Sequence, residues 1–469
     1  MIGDLKPYGE YKDSGLPWLG RVPEHWDTRR LRHACDMRVS NVDKHTKAGE
    51  TPVRLCNYVE VYKNERIRQS TRFMAATATE DERKRFGLRE GDVLITKDSE
   101  QWNDIGVPAL VEFEASDLVC GYHLAILRAR PGLNGAFLYR AIECHFIAAQ
   151  FHVEANGVTR YGLSHGAIQS VAIPLPPTEE QAAIVRFLDW ATGRLERAIR
   201  AKRKVIALLN EQKQAIIHRA VTRGLDPSVP LKPSGIPWLG DIPQHWEIAR
   251  AKYVFREVDH RSVAGEETHL AMSQRLGLVP SNMVKSTLRS ESYAGGKLCD
   301  TGDLVLNRLK AHLGVFAVAR QSGVVSPDYT VLRKHDDVHT EFFECILRSP
   351  ACRGELRMRA KGIVEGFWRL YTDDFYDIRM PVPPLLEQRQ IMNSISEQTL
   401  TQDTAISRLE REIDLLREYR TRLVADVVTG KLDVREAAAA LPDEDPLRAF
   451  AASRDPDPDL ETPDDEEDR

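Results

Sequence analysis

Apolar residues recur in alternating steps of three and four along two stretches of this chain, and each stretch predicts one long amphipathic helix. In the first, Ile184, Leu188, Ala191, Leu195 and Ala198 lead on to Val205, Leu209 and Ile216, with Lys202 interrupting the seam. Pro176 and Pro177 bar a helix before it, Thr178 stands as the N-cap with Glu179 and Glu180 in the first turn, and Gly224 supplies the stop. In the second, Ile391, Ile395, Ala405, Leu409, Leu416, Tyr419 and Leu423 follow the same rule. A seam of six turns or more asks for a partner helix. Between and before these helices the pattern changes to short β-rich runs bounded by Gly, Asp and Pro: "GDVLITKD" and "LAILRARP", then "GDLVLNRLKA" and "YTVLRK". "NGAFLYRAIECHFIAAQFHVEA" and "HTEFFECILRSPACRGELRMRA" read as helices, so the intervening modules are α+β.

The same pattern is written twice. "SGLPWLGRVPEHW", from Ser14, returns as "SGIPWLGDIPQHW", from Ser234, identical at nine of thirteen positions. The stretch 173–225 aligns without gaps to 380–432, sharing Pro176/Pro383, Pro177/Pro384, Glu180/Glu387, Gln181/Gln388, Ile184/Ile391 and Leu209/Leu416. The middles share only a weak template: Gly91-Asp92 with Gly302-Asp303, Gly106-Val107 with Gly314-Val315, and Leu163 with Leu370. Self-similarity of this kind fixes the architecture. The expected organisation is an N-terminal segment with the first Trp repeat (1–26), a first module (27–177), a central helix (178–225), a linker with the second Trp repeat (226–246), a second module (247–384), a C-terminal helix (385–432) and an acidic, disordered tail (433–469).

Charge sharpens this division. The net charge is −5, but the last 29 residues hold twelve Asp/Glu and three Arg, which leaves the remaining 440 residues at about +4. A mildly basic body with an acidic tail is compatible with a polyanionic partner. Seven scattered cysteines form no C-x-x-C pair, and no histidine spacing completes a metal site, so the thiols are expected to be reduced and structural and no metal is expected. No run approaches a membrane span, and the N-terminus lacks a signal-peptide pattern; a cytoplasmic location with no membrane contact is expected. Phosphate-cradling, dinucleotide, zincin and nucleophile-elbow motifs are all missing. Glu82-x-Lys84 is the nearest thing to a nuclease signature, and its surroundings read as the solvated face of a short helix.

The two Trp-rich copies, together with "PLPPTEEQ" and "PVPPLLEQ" each opening a long helix, strongly resemble the specificity subunit of type I restriction-modification systems. The likeness runs from about Tyr11 to Leu432. It implies two related target-recognition domains separated by two long antiparallel coiled-coil helices, an internal pseudo-two-fold repeat, and double-stranded DNA as ligand, each domain reading half of a bipartite, asymmetric sequence. It also implies a non-catalytic chain with no cofactor of its own. S-adenosylmethionine, ATP and Mg belong on its partners: two modification (methyltransferase) subunits, and restriction/translocase subunits. A helix of about 45 residues spans roughly 67 Å, one to two turns of B-DNA at about 34 Å each, so the helices suit a ruler between half-sites.

Base-reading residues are not transferable within such a family, and the candidates are chosen from this sequence. Lys97, Gln101 and Asn103 follow the "GDVLIT" strand, Arg308 and Lys310 follow "GDLVLN", Arg160 and Tyr161 precede Leu163, and Arg369 precedes Leu370. Arg and Gln suit bidentate base contacts, and Lys suits phosphates. Ile184, Leu188, Leu195, Leu209, Ile216, Ile391, Ile395, Leu409, Leu416 and Leu423 are the helix-packing candidates. Trp18, Trp26, Trp238 and Trp246 lie in the shared part of the repeat and read as structural anchors rather than base-stacking groups. Two other readings stay open: a DNA-processing nuclease with an unrecognised site, and a coiled-coil scaffold whose modules bind protein.

Overall fold

A computed structural model describes residues 5–273, 276–284, 293–362 and 368–442. The acidic segment from 443 onward lies outside the described residues. The chain forms two compact units, one from residues 1–201 with 412–469 and one from 202–411. Each is a mixed α+β body with its own apolar core.

The two long helices are Thr178–Arg223 and Leu385–Val428. The carbonyl of Pro177 accepts the N–H groups of Glu180 and Gln181, both at 2.9 Å, so Thr178 is the first helical residue and not the N-cap expected from sequence. The helices stop before Gly224 (φ +72°) and Gly430 (φ +75°), a left-handed conformation that Gly adopts without the Cβ penalty.

Helix segments run antiparallel within each unit. In the first, Arg420 pairs with Glu196 at 2.6 Å, and Arg186 donates to the Leu441 carbonyl at 2.6 Å. In the second, Lys213 meets Asp403 at 2.5 Å, and Ala220 and Val221 share a core with Ile391 and Ile395. Residues 433–442 also depart from the expected tail. Arg435–Ala439 is a short helix, Val434, Ala438 and Leu441 are buried, and Asp433 bridges to Lys6. The apolar positions in that stretch gain burial against the first unit's core.

The first unit carries a five-stranded sheet in the order Cys35–Val39, Leu124–Ala129, Val93–Thr96, Pro108–Val111, Arg66–Ile67. The second carries a four-stranded sheet in the order Phe255–Val258, Tyr329–Lys334, Leu304–Asn307, Phe316–Val318. The first four strands correspond one to one. Asp92, next to a left-handed Gly91, receives both Arg128 Nε and Nη2 at 2.7 Å; Asp303, next to Gly302, receives Arg333 Nε at 2.9 Å and Nη2 at 2.8 Å. Charge-assisted forks of this kind fix the turn that leads into an inner strand. The weak template in the diverged middles is therefore the frame that holds the central strand. In both units a nine-residue helix is followed directly by a ten-residue one: Gly135–Glu143 and His145–Glu154, then Thr340–Arg348 and Pro350–Arg359.

Candidate nucleic-acid interface

The repeated Trp segment folds as a tight hairpin, Tyr11–Asp13 with Arg21–Pro23 in one unit and Leu231–Pro233 with Asp241–Pro243 in the other. Trp26 and Trp246 are fully buried, and Trp18 and Trp238 are half-buried against the same cores. The indole N–H of Trp26 donates to Glu180 Oε1 at 3.0 Å while His25 Nε2 lies 2.7 Å from Oε2. The indole of Trp246 and His245 meet Glu387 at the same two distances. The first unit adds Tyr8, whose hydroxyl also donates to Glu180, and the burial of Tyr8 together with this contact pushes its phenol far up.

Beside each glutamate a buried glutamine ties helix to module. Gln181 accepts from the Asn134 N–H and donates to the Pro176 and Gly132 carbonyls; Gln388 accepts from the His339 N–H and donates to the Pro383 and Asp337 carbonyls. A buried carboxylate or amide is tolerable only when its partners are supplied. Glu180, placed by the sequence in the helix's first turn, is buried and holds the tryptophan. The shared Glu-Gln pair was visible in the repeat; its meaning was not, because a first-turn acid ordinarily faces water.

The diverged segments meet at one place in each unit. In the first, the Leu163 N–H donates to the Lys97 carbonyl at 2.8 Å; in the second, Leu370 N–H donates to the Arg308 carbonyl at 3.0 Å. Lys97 is half-buried, with its ammonium 3.2 Å from Asp98. Asp98 also takes His123 Nδ1 at 2.7 Å, and the exposed Arg160 guanidinium comes within 3.5 Å of that nitrogen. Tyr161 pairs through its backbone with Ser99. Gln101 and Asn103 are exposed on the following turn. Aromatic groups absent from the sequence reading surround this set: Tyr58 stacks on Tyr62, Tyr122 lies on His123, and the exposed Trp102 meets His152 edge to face. Tyr62 donates to Asp104 at 2.6 Å, which pushes its phenol up to about 12, and burial holds His152 below the usual imidazole range.

In the second unit Arg308 Nε donates to the Asp328 carbonyl at 2.8 Å, Lys310 is exposed, and Arg369 pairs through its backbone with Lys361. Trp368 lies between the Arg357 guanidinium, 5.3 Å from its ring, and His312, at 5.6 Å. Burial, then Arg357, holds His312 below the usual imidazole range. The structure thus brings together Lys97, Arg160 and Tyr161 in one unit and Arg308 and Arg369 in the other. Gln101, Asn103 and Lys310 stand on the adjoining turns.

Of the helix-packing candidates, Ile184, Leu188, Leu195 and Leu423 are buried in the first unit, as are Ile391 and Ile395 in the second; Leu209, Ile216, Leu409 and Leu416 are half-buried. Val205 and Tyr419, counted in the seam, are exposed. The helix ends sit on a module core and their middles do not, which thins the apolar seam between.

Glu82 is committed to a capping box on Thr79, and Lys84 pairs with Glu80, so Glu82-x-Lys84 is helix-end chemistry. Among the described residues no cluster of His, Cys, Asp or Glu is placed to hold a metal ion. Burial pushes the Cys35, Cys345 and Cys352 thiols up to about 12, far from the range of a nucleophile. No helix among the described residues is long and apolar enough to cross a membrane.

A family model described as the type I restriction modification DNA specificity domain matches residues 23–203. The putative type I restriction enzyme MjaX specificity subunit of Methanocaldococcus jannaschii is 20% identical over 429 residues, covering 89% of this chain and 96% of that protein. The type I restriction enzyme MjaVIII specificity subunit of the same organism is 20% identical over 436 residues, covering 88% and 95%. Among solved structures, a chain from work on the complex assembly and conformational transition of the type I R-M system superposes with a TM-score of 0.60 at 18% identity, covering 88% of this chain and 99% of that one.

Proposed function

From the premise that this chain belongs to the type I restriction-modification specificity family, we propose that it reads a bipartite, asymmetric DNA sequence, one half through each unit. It does so without catalysis of its own, in the cytoplasm. Two modification subunits dock on it and carry the S-adenosylmethionine-dependent methylation; restriction/translocase subunits bring the ATP and Mg chemistry. The candidate contacts are Lys97, Gln101, Asn103, Arg160 and Tyr161 for one half-site and Arg308, Lys310 and Arg369 for the other.

The observation supporting this reading is a shared frame with unlike surfaces. The same strand order, the same Asp-Arg fork and the same Leu-to-strand hydrogen bond recur, yet Lys97 stands where Arg308 does, and Tyr161 where Trp368 does. A repeated frame with different polar groups suits two different half-sequences. The test is to map methylated sites in a genome modified by the complete complex. A split motif with a fixed, unspecified gap is expected, and replacing segment 27–177 with that of another such protein should change one half only. A continuous or palindromic site would overturn the proposal.

A further inference from the structure

The last turn of the ten-residue helix carries the same anomaly in both units. Its ninth residue is Val153 in one and Met358 in the other, and these side chains are 83% and 78% exposed. A single exposed apolar side chain is ordinary. The same register position is exposed in two modules with diverged surfaces, and the residue before it repeats a feature too. His152 meets Trp102 edge to face, and Arg357 lies over Trp368.

In each unit this turn adjoins the candidate reading segment. A Cβ on Gly106 would strike the Phe151 ring at 2.9 Å, so the 101–106 turn is pressed against the helix His145–Glu154; Pro350–Arg359 packs on the turn Ala311–Leu313, with Arg353 3.3 Å from the place of a Gly314 Cβ. Around Met358 the charge is positive. Arg359 and Lys361 are neutralised by Glu355 and Asp374, whereas Arg357 and Arg369 pair with no carboxylate among the described residues, and Lys310 stands exposed on the adjoining turn. An apolar tip next to an arginine that no carboxylate among the described residues neutralises fits a polyanion that also offers apolar groups. Duplex DNA does so through the thymine methyls of the major groove, between rows of phosphates.

We infer that Val153 and Met358 are sequence-determining contacts, each meeting a thymine methyl in its unit's half-site, with His152 and Arg357 held beside them by a tryptophan. This rests on the bipartite reading above. The test uses the complete complex with its modification subunits. Genomic methylation is mapped for the wild type and for Val153→Ala and Met358→Ala, and binding is measured on a target duplex carrying deoxyuridine in place of thymidine in one half-site.

Each variant should lower discrimination about tenfold at one T·A pair, in one half-site only and in a different half for each. Deoxyuridine at that pair should weaken the wild type and leave the matching variant indifferent. Unchanged motifs from both variants would overturn the inference. So would a change in both halves from one variant, or loss of methylation at all sites by an assembled complex. A wild type lacking a split motif would instead sink the bipartite reading itself.

Discussion

Removing the Glu180 carboxylate should hurt more than removing its repeat counterpart Glu387, although the two occupy the same place in the sequence pattern. Glu180 accepts from Trp26, which is fully buried, from Tyr8, which is 6% exposed, and from His25, whose side chain is 43% exposed. Glu387 accepts from the buried Trp246 and from His245, whose side chain is 46% exposed. A buried donor left without an acceptor costs about 1–3 kcal/mol, and an exposed histidine turns to water at little cost. Glu180→Ala therefore strands two buried donors, a loss of about 2–6 kcal/mol, and Glu387→Ala strands one, about 1–3 kcal/mol.

Thermal unfolding followed by indole fluorescence and calorimetry checks this, with each unit's transition followed separately where they resolve. At roughly 2–4 °C per kcal/mol for bodies of this size, Glu180→Ala should lower its unit's midpoint by several degrees more than Glu387→Ala lowers the other's. Tyr8→Phe removes one of the two buried donors, so it should shrink the cost of Glu180→Ala. Equal shifts from the two alanine variants, or full additivity between Tyr8→Phe and Glu180→Ala, would refute the reasoning. The methylation motif should not move in any of them.

Gly430→Ala should destabilise strongly, because a Cβ there would lie 2.4 Å from Pro23 Cδ and 3.0 Å from the Trp26 ring at φ +75°; Gly224→Ala, whose nearest contacts are 3.4 Å, should cost only the backbone strain of about 1 kcal/mol, compared by urea unfolding. Arg420→Ala removes the cation shared by Glu65, Glu143 and Glu196; because Glu143 keeps Arg140 at 2.6 Å, the loss should be about 1–3 kcal/mol by the same assay. Acid should weaken the first unit. Burial works against the charged form of Glu112, but Arg68 and Arg66 outweigh it and hold the carboxyl below its ordinary value. That stability is present above the unfolded carboxyl range and is lost as pH falls through the lower folded value, so Arg66→Ala should flatten the decline in a pH series of melting midpoints. Finally, Lys310→Ala should lower the salt slope of DNA binding by about one unit and Lys97→Ala by less, since Asp98 already engages Lys97; equal slopes across a salt titration would remove both from the phosphate contacts.

What could be read from the sequence, and what could not, divides along a physical line. Periodicity and repetition made the two long helices, the two modules and the buried tryptophans legible, because each depends on a pattern of apolar and proline positions that local chemistry imposes. The roles of Glu180 and Gln181 were hidden, since nothing in a helix's first turn announces that chain segments 154 and 47 residues earlier supply the donors. The same holds for the candidate reading surface. Trp102 and Trp368 come from different parts of the two modules, one beyond the central strand and one before Leu370, yet each braces the eighth residue of the same helix. A sequence alignment that seeks the same residue at the same offset misses that correspondence, because the two rings reach the helix from different places in the chain. The position with a fixed register is the helical one, and that is why Val153 and Met358, unremarkable in the sequence, carry the sharper expectation about what each unit reads.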